Sequence, residues 1–391
     1  MKNATARLGA WVALLAISIL AGLYALGEMF IKGQGYTLGT SDQVPWGLFI
    51  VGYAFFVGTS AGATIIGLMI HAFGRDEFRP LAIPSLLVAL LSLIAAMLFI
   101  ALDVGNFAKM LLIPWVLRNP TSVFLYTAST YYVFALVLLG QLYFTIKLSG
   151  NSSSNFHSRM AKWTAIAAVP VAFWLQGALF AVVKAREFWN SPMEPPHSMF
   201  AGLVSGTAVV ILIAIVTSFA SKKPLVSRAA LASLGKLMAV FVAATLLFDL
   251  VDALVLGYSE TTGGAEDWRL LTGRFLGLYA LNLGGLAVAL AILVVRRGQE
   301  AGSLLVASLI AVLAIAAYRY NLVIVGQMTP LWPGQTGPAV DYAPTGGELA
   351  ITLGIVALAL LAYTVLVRVL PVKEAGRGGR RPQAPARLSE A

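Results

Sequence analysis

The chain has 391 residues, of which 59% are hydrophobic and only 11% are charged, and its mean hydropathy is +0.84. Soluble globular domains carry about 25% charged residues, and no core of this length can hide so much apolar surface from water, so a soluble enzyme is excluded. The chain also has a formal net charge of +10 and no cysteine, and the missing thiolates exclude disulfides, thiolate zinc sites and iron–sulfur clusters held by this chain.

A helix needs about 20 apolar residues to cross a bilayer, and ten such stretches follow one another along the chain. None shows the alternation of an outer-membrane barrel strand. In order, they are Leu8–Gly27, Gly47–Ile70, Pro80–Leu102, Val123–Ile146, Trp163–Val183, Met199–Ala220, Leu234–Leu256, Phe275–Val295, Ser303–Val325 and Leu349–Val367. The first is longer than a signal-peptide core, so we expect it to be retained. We predict an all-α polytopic membrane helix bundle over residues 1–371, with about ten transmembrane helices, and a disordered basic cytoplasmic tail at 372–391.

The basic residues are distributed unevenly between the two sides of this bundle. Of the 27 Lys and Arg, 19 fall in segments on the N-terminal side and 8 on the opposite side. Since positively charged loops stay cytoplasmic, we predict a multi-pass protein of the cytoplasmic (inner) membrane with both termini cytoplasmic. The net charge is thus a topology signal, so we expect membrane lipid and no nucleic acid as a partner. The outer loops are longer and hold or adjoin 12 of the 17 acidic residues, which makes the outer face the expected working face.

Polar side chains at membrane depth are informative because each is costly unless it is paired or hydrated. Asp103, at the end of the third stretch, is either a proton-handling group beside a redox ligand or a helix-end carboxylate bonded to nearby backbone or to an arginine. Asp249 and Asp252 share one helix face; they either relay protons or are solvated at the outer interface, and solvation is the favoured interpretation. Arg319 either pairs with a carboxylate or with carbonyls, with Asp103 and Asp249 as candidate partners, or it contacts a ligand directly, and structural pairing is the favoured interpretation.

Charged, aromatic and proline residues are dense in the loop Lys184–Pro192 and onward to His197. This composition is expected of a docking surface or of a pocket rim, whereas an interfacial aromatic belt is the alternative, and for Trp189 alone the favoured one. The three histidines are placed at the inner end of the second stretch (His71), in an inner loop (His157) and in an outer loop (His197). Because a membrane b-type haem is held by histidines inside the spans, we predict no haem.

Four local motifs occur in order along the chain. They are Pro45–Phe49 with Gly58–Ala63, then Leu102–Asn106, then Ala185–Asn190, and finally Arg319–Asn321 continuing through Pro344 and Glu348. Together they resemble the NrfD/polysulfide reductase family of integral membrane subunits, in particular the ten-helix branch that contains a hydrogenase membrane subunit and the sulfur-metabolism protein DsrP. The resemblance covers essentially the whole chain. Asn106 departs from it by replacing an arginine, and Trp174-Leu175-Gln176 stands where many relatives carry a histidine.

The resemblance implies a membrane anchor that passes electrons between a quinone, menaquinone or ubiquinone, and an iron–sulfur partner. That partner is a four-cluster ferredoxin-like subunit on the outer face, connected to a molybdopterin or hydrogenase catalytic subunit. Asp103 is then the expected proton-handling residue. The expected quinone-binding residues are Trp46, Tyr53, Asn106, Trp174, Gln176, Arg186 and Glu187, of which Arg186 and Glu187 line the pocket mouth or meet the partner.

Two other functions stay open. An ion or proton-coupled transporter is supported by the charged residues at depth, but transporters commonly show internal repeats, and the two halves of this chain show no convincing repeat. A passive membrane anchor without a quinone site is the other alternative, and binding of a quinone analogue separates it from the quinone-reactive subunit.

Overall fold

The computed structural model describes residues 2–106, 112, 115, 119–149, 155–175, 177–295, 300–328 and 341–370, and within these ranges the regular secondary structure is helical. The first helices are α1 (Lys2–Lys32), α2 (Gln34–Thr37), α3 (Leu48–Ala63), α4 (Ile65–His71), a 3-10 helix (Asp76–Leu81), α5 (Ala82–Val104), α6 (Val123–Ser149) and α7 (Asn155–Leu175). The remaining helices are α8 (Ala178–Ala181), α9 (Glu194–Ser221), α10 (Arg228–Gly257), α11 (Thr262–Thr272), α12 (Leu276–Val294), α13 (Ala301–Met328) and α14 (Gly346–Val369).

Within the described ranges, nine helical segments are long and apolar enough to cross a membrane. They comprise α1, α3 with α4, the 3-10 helix with α5, α6, α9, α10, α12, α13 and α14. Helix α7 corresponds to the fifth predicted stretch but begins eight residues earlier, at the polar Asn155, and it packs along α6. The predicted all-α membrane bundle is therefore confirmed, while the count of ten helices is approximate. Residues 372–391 lie outside the described ranges, so the tail stays a prediction.

Helix α3 lies at the centre of the bundle. Of the apolar segment that α3 and α4 form, 78% is buried, compared with 17% for α1 at the periphery. Helices α5, α9 and α13 pack around α3. Residues on α3 therefore face protein on all sides, and a polar side chain there needs a partner from a neighbouring helix.

The backbones of α3 and α9 approach each other closely because both helices carry glycine at the contact. A Cβ atom at Gly206 would lie 2.4 Å from the backbone of Gly62, and one at Gly62 would lie 2.0 Å from the carbonyl oxygen of Gly202. Gly62 belongs to the Gly58–Ala63 motif, and small residues are typical of the places where membrane helices pack closely.

Gly206→Ala is expected to force α3 and α9 apart and to lower the free energy of unfolding by about 1–3 kcal/mol, the usual cost of overpacking. Thermal unfolding of the detergent-purified protein measures the change. Gly284→Ala is the matched control, because a Cβ at this α12 position would have no atom within 4 Å. Equal melting temperatures for the two variants would contradict the prediction.

One end of the bundle collects most of the polar residues named above. Helices α3, α9 and α14 begin there and α5, α10 and α13 end there, as the hydrogen bonds and ion pairs between these helix ends show. We call this end the loop-rich face. It is the end that the charge distribution of the sequence predicts to be on the outer side of the membrane.

Candidate functional site

Three aromatic rings form a layer under the loop-rich face. The indoles of Trp46 and Trp189 are stacked with their ring centroids 5.2 Å apart, and the ring of Phe180 stands edge-on to both, at 5.9 and 5.4 Å. Trp189 is 3% exposed, and its Nε1 donates a 2.6 Å hydrogen bond to the carbonyl of Leu322. The indole also requires glycine at position 326, where a Cβ would lie 2.1 Å from Nε1. Trp189 is thus a buried part of this layer, and the interfacial belt favoured from the sequence is wrong for it.

Gln327 and Arg186 fix the aromatic layer to the end of α13. The side-chain amide of Gln327 accepts a bond from the backbone N–H of Trp46 and donates one to the Trp46 carbonyl, both at 2.9 Å. The guanidinium of half-buried Arg186 donates a 2.8 Å bond to the carbonyl of Gln327. Burial lowers the pKa of Arg186, and the nearby charge of Asp267 counteracts this effect. Arg186 therefore joins the loop to the helix that carries Arg319.

Glu187 is exposed and lies at the start of α11. Its Oε2 accepts hydrogen bonds from the hydroxyl of Thr261, at 2.8 Å, and from the backbone N–H of Gly264, at 3.0 Å. A carboxylate in this position satisfies helix N–H groups that lack a partner. The structure thus places Glu187 as a cap of α11, apart from the aromatic layer that Arg186 contacts.

A fully buried carboxylate, Glu348, ties the start of α3 to the start of α14. Its Oε1 accepts bonds from the Leu48 N–H at 2.7 Å and from the Tyr342 hydroxyl at 2.8 Å. Burial, together with the charge of Glu348, raises the pKa of Tyr342 well above its ordinary value. Gly47 is required at this point, since a Cβ there would lie 2.3 Å from Oε1.

Asp103 stands at the end of α5, half-buried and close enough to Glu348 for the two carboxylates to interact electrostatically. The helix ends directly after it, because Gly105 adopts a left-handed conformation with φ 69°. Gln34 fixes this end by donating a 2.8 Å bond to the carbonyl of Leu102. Asn106 follows as an exposed residue. Asp103 is thus presented at the loop-rich face beside a second carboxylate.

A narrow cavity lies below this face, and the space inside it is about 10 Å³, roughly the room that one water molecule needs. Its walls are largely apolar, and its polar groups belong to Tyr53 and Arg319. The lining residues are Tyr53, Ala54, Val57, Gly177, Leu179, Phe180 and Arg319. The hydroxyl of Tyr53 is hydrogen-bonded to that of Tyr131. Phe180 belongs both to the cavity wall and to the aromatic layer, so the two features adjoin.

Arg319 is 2% exposed and bonds to helix α9. Its guanidinium donates to the Ser198 hydroxyl at 2.7 Å and to the Ser198 carbonyl at 2.9 Å. The Ser198 hydroxyl in turn donates to Glu194 at 2.5 Å, and the Tyr318 hydroxyl donates to the same oxygen at 3.0 Å. The prediction of a carbonyl or carboxylate partner is borne out by these contacts, although Ser198 was not among the candidates.

His197 lies between two carboxylates of α10. Its Nε2 is 3.2 Å from Asp249 and its Nδ1 is 3.1 Å from Asp252. The imidazole is 2% exposed and stacks on the ring of Phe248, with the centroids 5.6 Å apart, while the tilted ring of Tyr318 lies 4.6 Å away.

Two expectations from the sequence are corrected here. His197 was expected in a loop, but it lies in the first turn of α9, which starts at Glu194 because Pro195 and Pro196 occupy positions where a helix tolerates proline. Solvation was the favoured interpretation of Asp249 and Asp252, but Asp249 is 5% exposed and is bonded by Asn282 at 3.0 Å. Only Asp252 keeps substantial exposure, at 41% of its side chain.

Two expected site residues cannot be placed at the cavity. Gln176 lies outside the described residues, and of Trp174 only the backbone, in the last turn of α7, is described. Gly177, which follows Gln176 in the sequence, lines the cavity.

The sequence profile of the polysulphide reductase NrfD family matches residues 37–331. The chain belongs to this family. The NrfD match spans α3 through α13 and so includes the cavity, the aromatic layer and the cluster around His197. The family resemblance predicted from the four motifs is confirmed.

Relatives of this NrfD-family chain are subunits of reductases and of a hydrogenase. A selenate reductase subunit of Mesobacillus selenatarsenatis is 25% identical over 92% of this chain and 93% of its own length. The Hdr-like menaquinol oxidoreductase integral membrane subunit of Archaeoglobus fulgidus is 25% identical over 90% of this chain and 92% of its own. Among solved structures, the bd oxidase from Geobacillus thermodenitrificans is similar in fold, with a TM-score of 0.52 at 13% identity, and the match covers 95% of this chain and 99% of that one.

Proposed function

We propose that this NrfD-family chain is the membrane anchor and the quinone- or quinol-reactive subunit of a multisubunit respiratory oxidoreductase. The observation that carries the proposal is the cavity beside α3, with apolar walls and two polar groups, Tyr53 and Arg319. Small-molecule sites are typically concave and apolar with a few well-placed polar groups. A quinone has the matching division, since its ring and tail are apolar and its carbonyl oxygens accept hydrogen bonds, and the side chains that line the cavity have to move apart to admit the ring.

The electrons of a bound quinol would leave through a partner. Oxidation of a quinol to a quinone breaks two O–H bonds and releases two electrons and two protons. This chain has no cysteine to ligate an iron–sulfur cluster, so we propose a four-cluster ferredoxin-like subunit that receives the electrons at the loop-rich face. A molybdopterin enzyme or a hydrogenase would then be the catalytic subunit. The absence of haem and of iron–sulfur clusters from this chain stays a prediction.

Menaquinone and ubiquinone are both candidate substrates, and similarity to the Archaeoglobus protein, a menaquinol oxidoreductase subunit, favours menaquinone. For the orientation we propose that the loop-rich face is outside the cytoplasmic membrane and that both termini are cytoplasmic. The uneven distribution of basic residues, 19 against 8, supports this orientation.

The first test is binding of a short-chain naphthoquinone to the purified protein. Trp46 and Trp189 adjoin the cavity through Phe180, so binding is expected to quench tryptophan fluorescence. Tyr53→Phe removes the hydroxyl at the cavity wall and should weaken binding by roughly tenfold, the equivalent of one hydrogen bond of about 1.4 kcal/mol.

Tyr24→Phe is the control for this test, because Tyr24 is 71% exposed on the peripheral helix α1. The Tyr24→Phe variant should bind the naphthoquinone with the same affinity as the unmodified protein. If the unmodified protein does not bind the naphthoquinone at high micromolar concentration, the passive anchor replaces our proposal.

A further inference from the structure

The residues around His197 form a series of polar groups that leads away from the cavity. This polar series begins at Arg319, which lines the cavity and donates a 2.7 Å hydrogen bond to the Ser198 hydroxyl. Ser198 donates to Glu194 at 2.5 Å. Glu194 also lies directly behind the cavity wall, since a Cβ at Gly177 would be 2.7 Å from its backbone oxygen.

The polar series continues along α9 to His197. Glu194 and His197 are three residues apart, so they lie on the same face of the helix, and their charges interact. Tyr318 joins them from α13, because its hydroxyl bonds to Glu194 at 3.0 Å and its ring lies 4.6 Å from the imidazole. From His197, Nδ1 contacts Asp252 at 3.1 Å.

The solvent exposure of the side chains changes sharply along the polar series. Glu194, His197 and Ser198 are each at most 6% exposed, whereas the side chain of Asp252 is 41% exposed. Asp252 precedes the end of α10 by five residues, which is about 7.5 Å along the helix axis. The polar series therefore runs from the cavity to a surface carboxylate near the loop-rich face.

The charges of the cluster favour a mobile proton. The cluster holds three carboxylates, those of Glu194, Asp249 and Asp252, and one arginine, Arg319. Helix α12 contributes the amide of Asn282, which donates to Asp249, and the phenol of Tyr279 near both aspartates. With one arginine among three carboxylates, a proton on His197 reduces the net negative charge of the cluster. An imidazole with both nitrogens next to carboxylates can accept a proton at one and release it at the other.

We propose that Glu194, Asp249, His197 and Asp252 conduct protons between the cavity and the loop-rich face. This inference rests on the proposed quinone site and adds to it a residue-by-residue route that is separate from Asp103. Quinol oxidation breaks two O–H bonds. One proton passes through the Ser198 hydroxyl to the Glu194 carboxylate and from there to Asp249, enters the imidazole of His197 at Nε2, leaves it at Nδ1 and reaches Asp252. The other proton goes to Asp103. The two electrons go to the iron–sulfur partner. Reduction of a quinone uses the same route in reverse.

The test uses membranes that hold the intact complex, with reduced naphthoquinone as the electron donor and a redox dye as the acceptor. Asp252→Asn keeps the size of the side chain but removes the surface proton acceptor. We expect turnover to fall by about 10–100-fold and added formate, a small diffusible acid, to restore it as its concentration rises. Naphthoquinone binding to the purified variant should be unchanged.

Glu260→Gln is the matched control, because Glu260 is an exposed carboxylate just beyond α10, and its turnover should equal that of the unmodified complex. Full turnover in Asp252→Asn, or a loss that formate does not restore, would overturn the route and leave an ion-pair network that only holds helices together. If the unmodified protein fails to bind the naphthoquinone, the proposed function itself fails, and the route fails with it.

Discussion

Asp103→Asn is expected to abolish quinone-linked electron transfer while the protein still assembles in the membrane. An asparagine has the size of an aspartate but cannot accept a proton, and the loss of a general base typically costs about 10²–10⁴-fold in rate. Asp103 is half-buried at the end of α5 and interacts with the charge of Glu348. The measurement is oxidation of reduced naphthoquinone by membranes, normalised to the amount of the protein on an immunoblot.

The control variant is Asp42→Asn, which changes an exposed carboxylate in the loop before α3. It should leave turnover and assembly intact. Unchanged turnover in Asp103→Asn would remove this residue from the mechanism, and a loss of assembled protein would identify it as structural.

Asp103 rather than Glu348 is the proton-handling candidate because the two carboxylates have different surroundings. Glu348 is fully buried, and its Oε1 is occupied by the Leu48 N–H and the Tyr342 hydroxyl. Glu348 thus holds the starts of two helices together. Asp103 is more exposed, so it is the carboxylate that can exchange a proton with a bound ligand or with water.

The helices could be predicted from the sequence because hydropathy alone determines which segments leave water. The errors occur where a helix begins with polar residues. Helix α9 starts at Glu194 and α7 at Asn155, five and eight residues before the apolar stretches at Met199 and Trp163. Hydropathy marks where lipid contact begins, whereas helix geometry depends on backbone hydrogen bonds and capping.

The candidate site could be predicted only in part, for a similar reason. Arg319, Asp249 and Asp103 stand out because a charge at membrane depth must be paired or hydrated. Their partners do not stand out, since Arg319 meets Ser198 across 121 positions of the chain and Glu348 meets Leu48 across 300. No local pattern in a single sequence encodes such pairs. One available signal was the spacing of Glu194, His197 and Ser198, which places all three on one helix face.

Arg319→Met is expected to be the most destabilising single substitution in the bundle. It leaves Glu194, which is 6% exposed, without the cation that balances its charge, and it removes both bonds to Ser198. Breaking a buried charge pair by removing one partner typically costs about 3–5 kcal/mol. Unfolding of the purified protein in mixed micelles of increasing SDS fraction measures the loss. Arg269→Met is the control, because the side chain of Arg269 is 82% exposed, and its unfolding free energy should not change.

A double-mutant cycle separates the charge effect from lost packing. If Glu194 is the group left unbalanced, neutralising it with Glu194→Gln should recover part of the stability that Arg319→Met removes, so the two substitutions are not additive. The glutamine still accepts a bond from the Ser198 or Tyr318 hydroxyl, which bond to Glu194 at 2.5 and 3.0 Å, so the packing is preserved. Strict additivity would show that Arg319 stabilises the bundle through Ser198 and its neighbours alone. Partial recovery of stability in the double variant instead means that a buried counter-charge holds the arginine at the cavity wall. A proton passing Glu194 would perturb this arrangement.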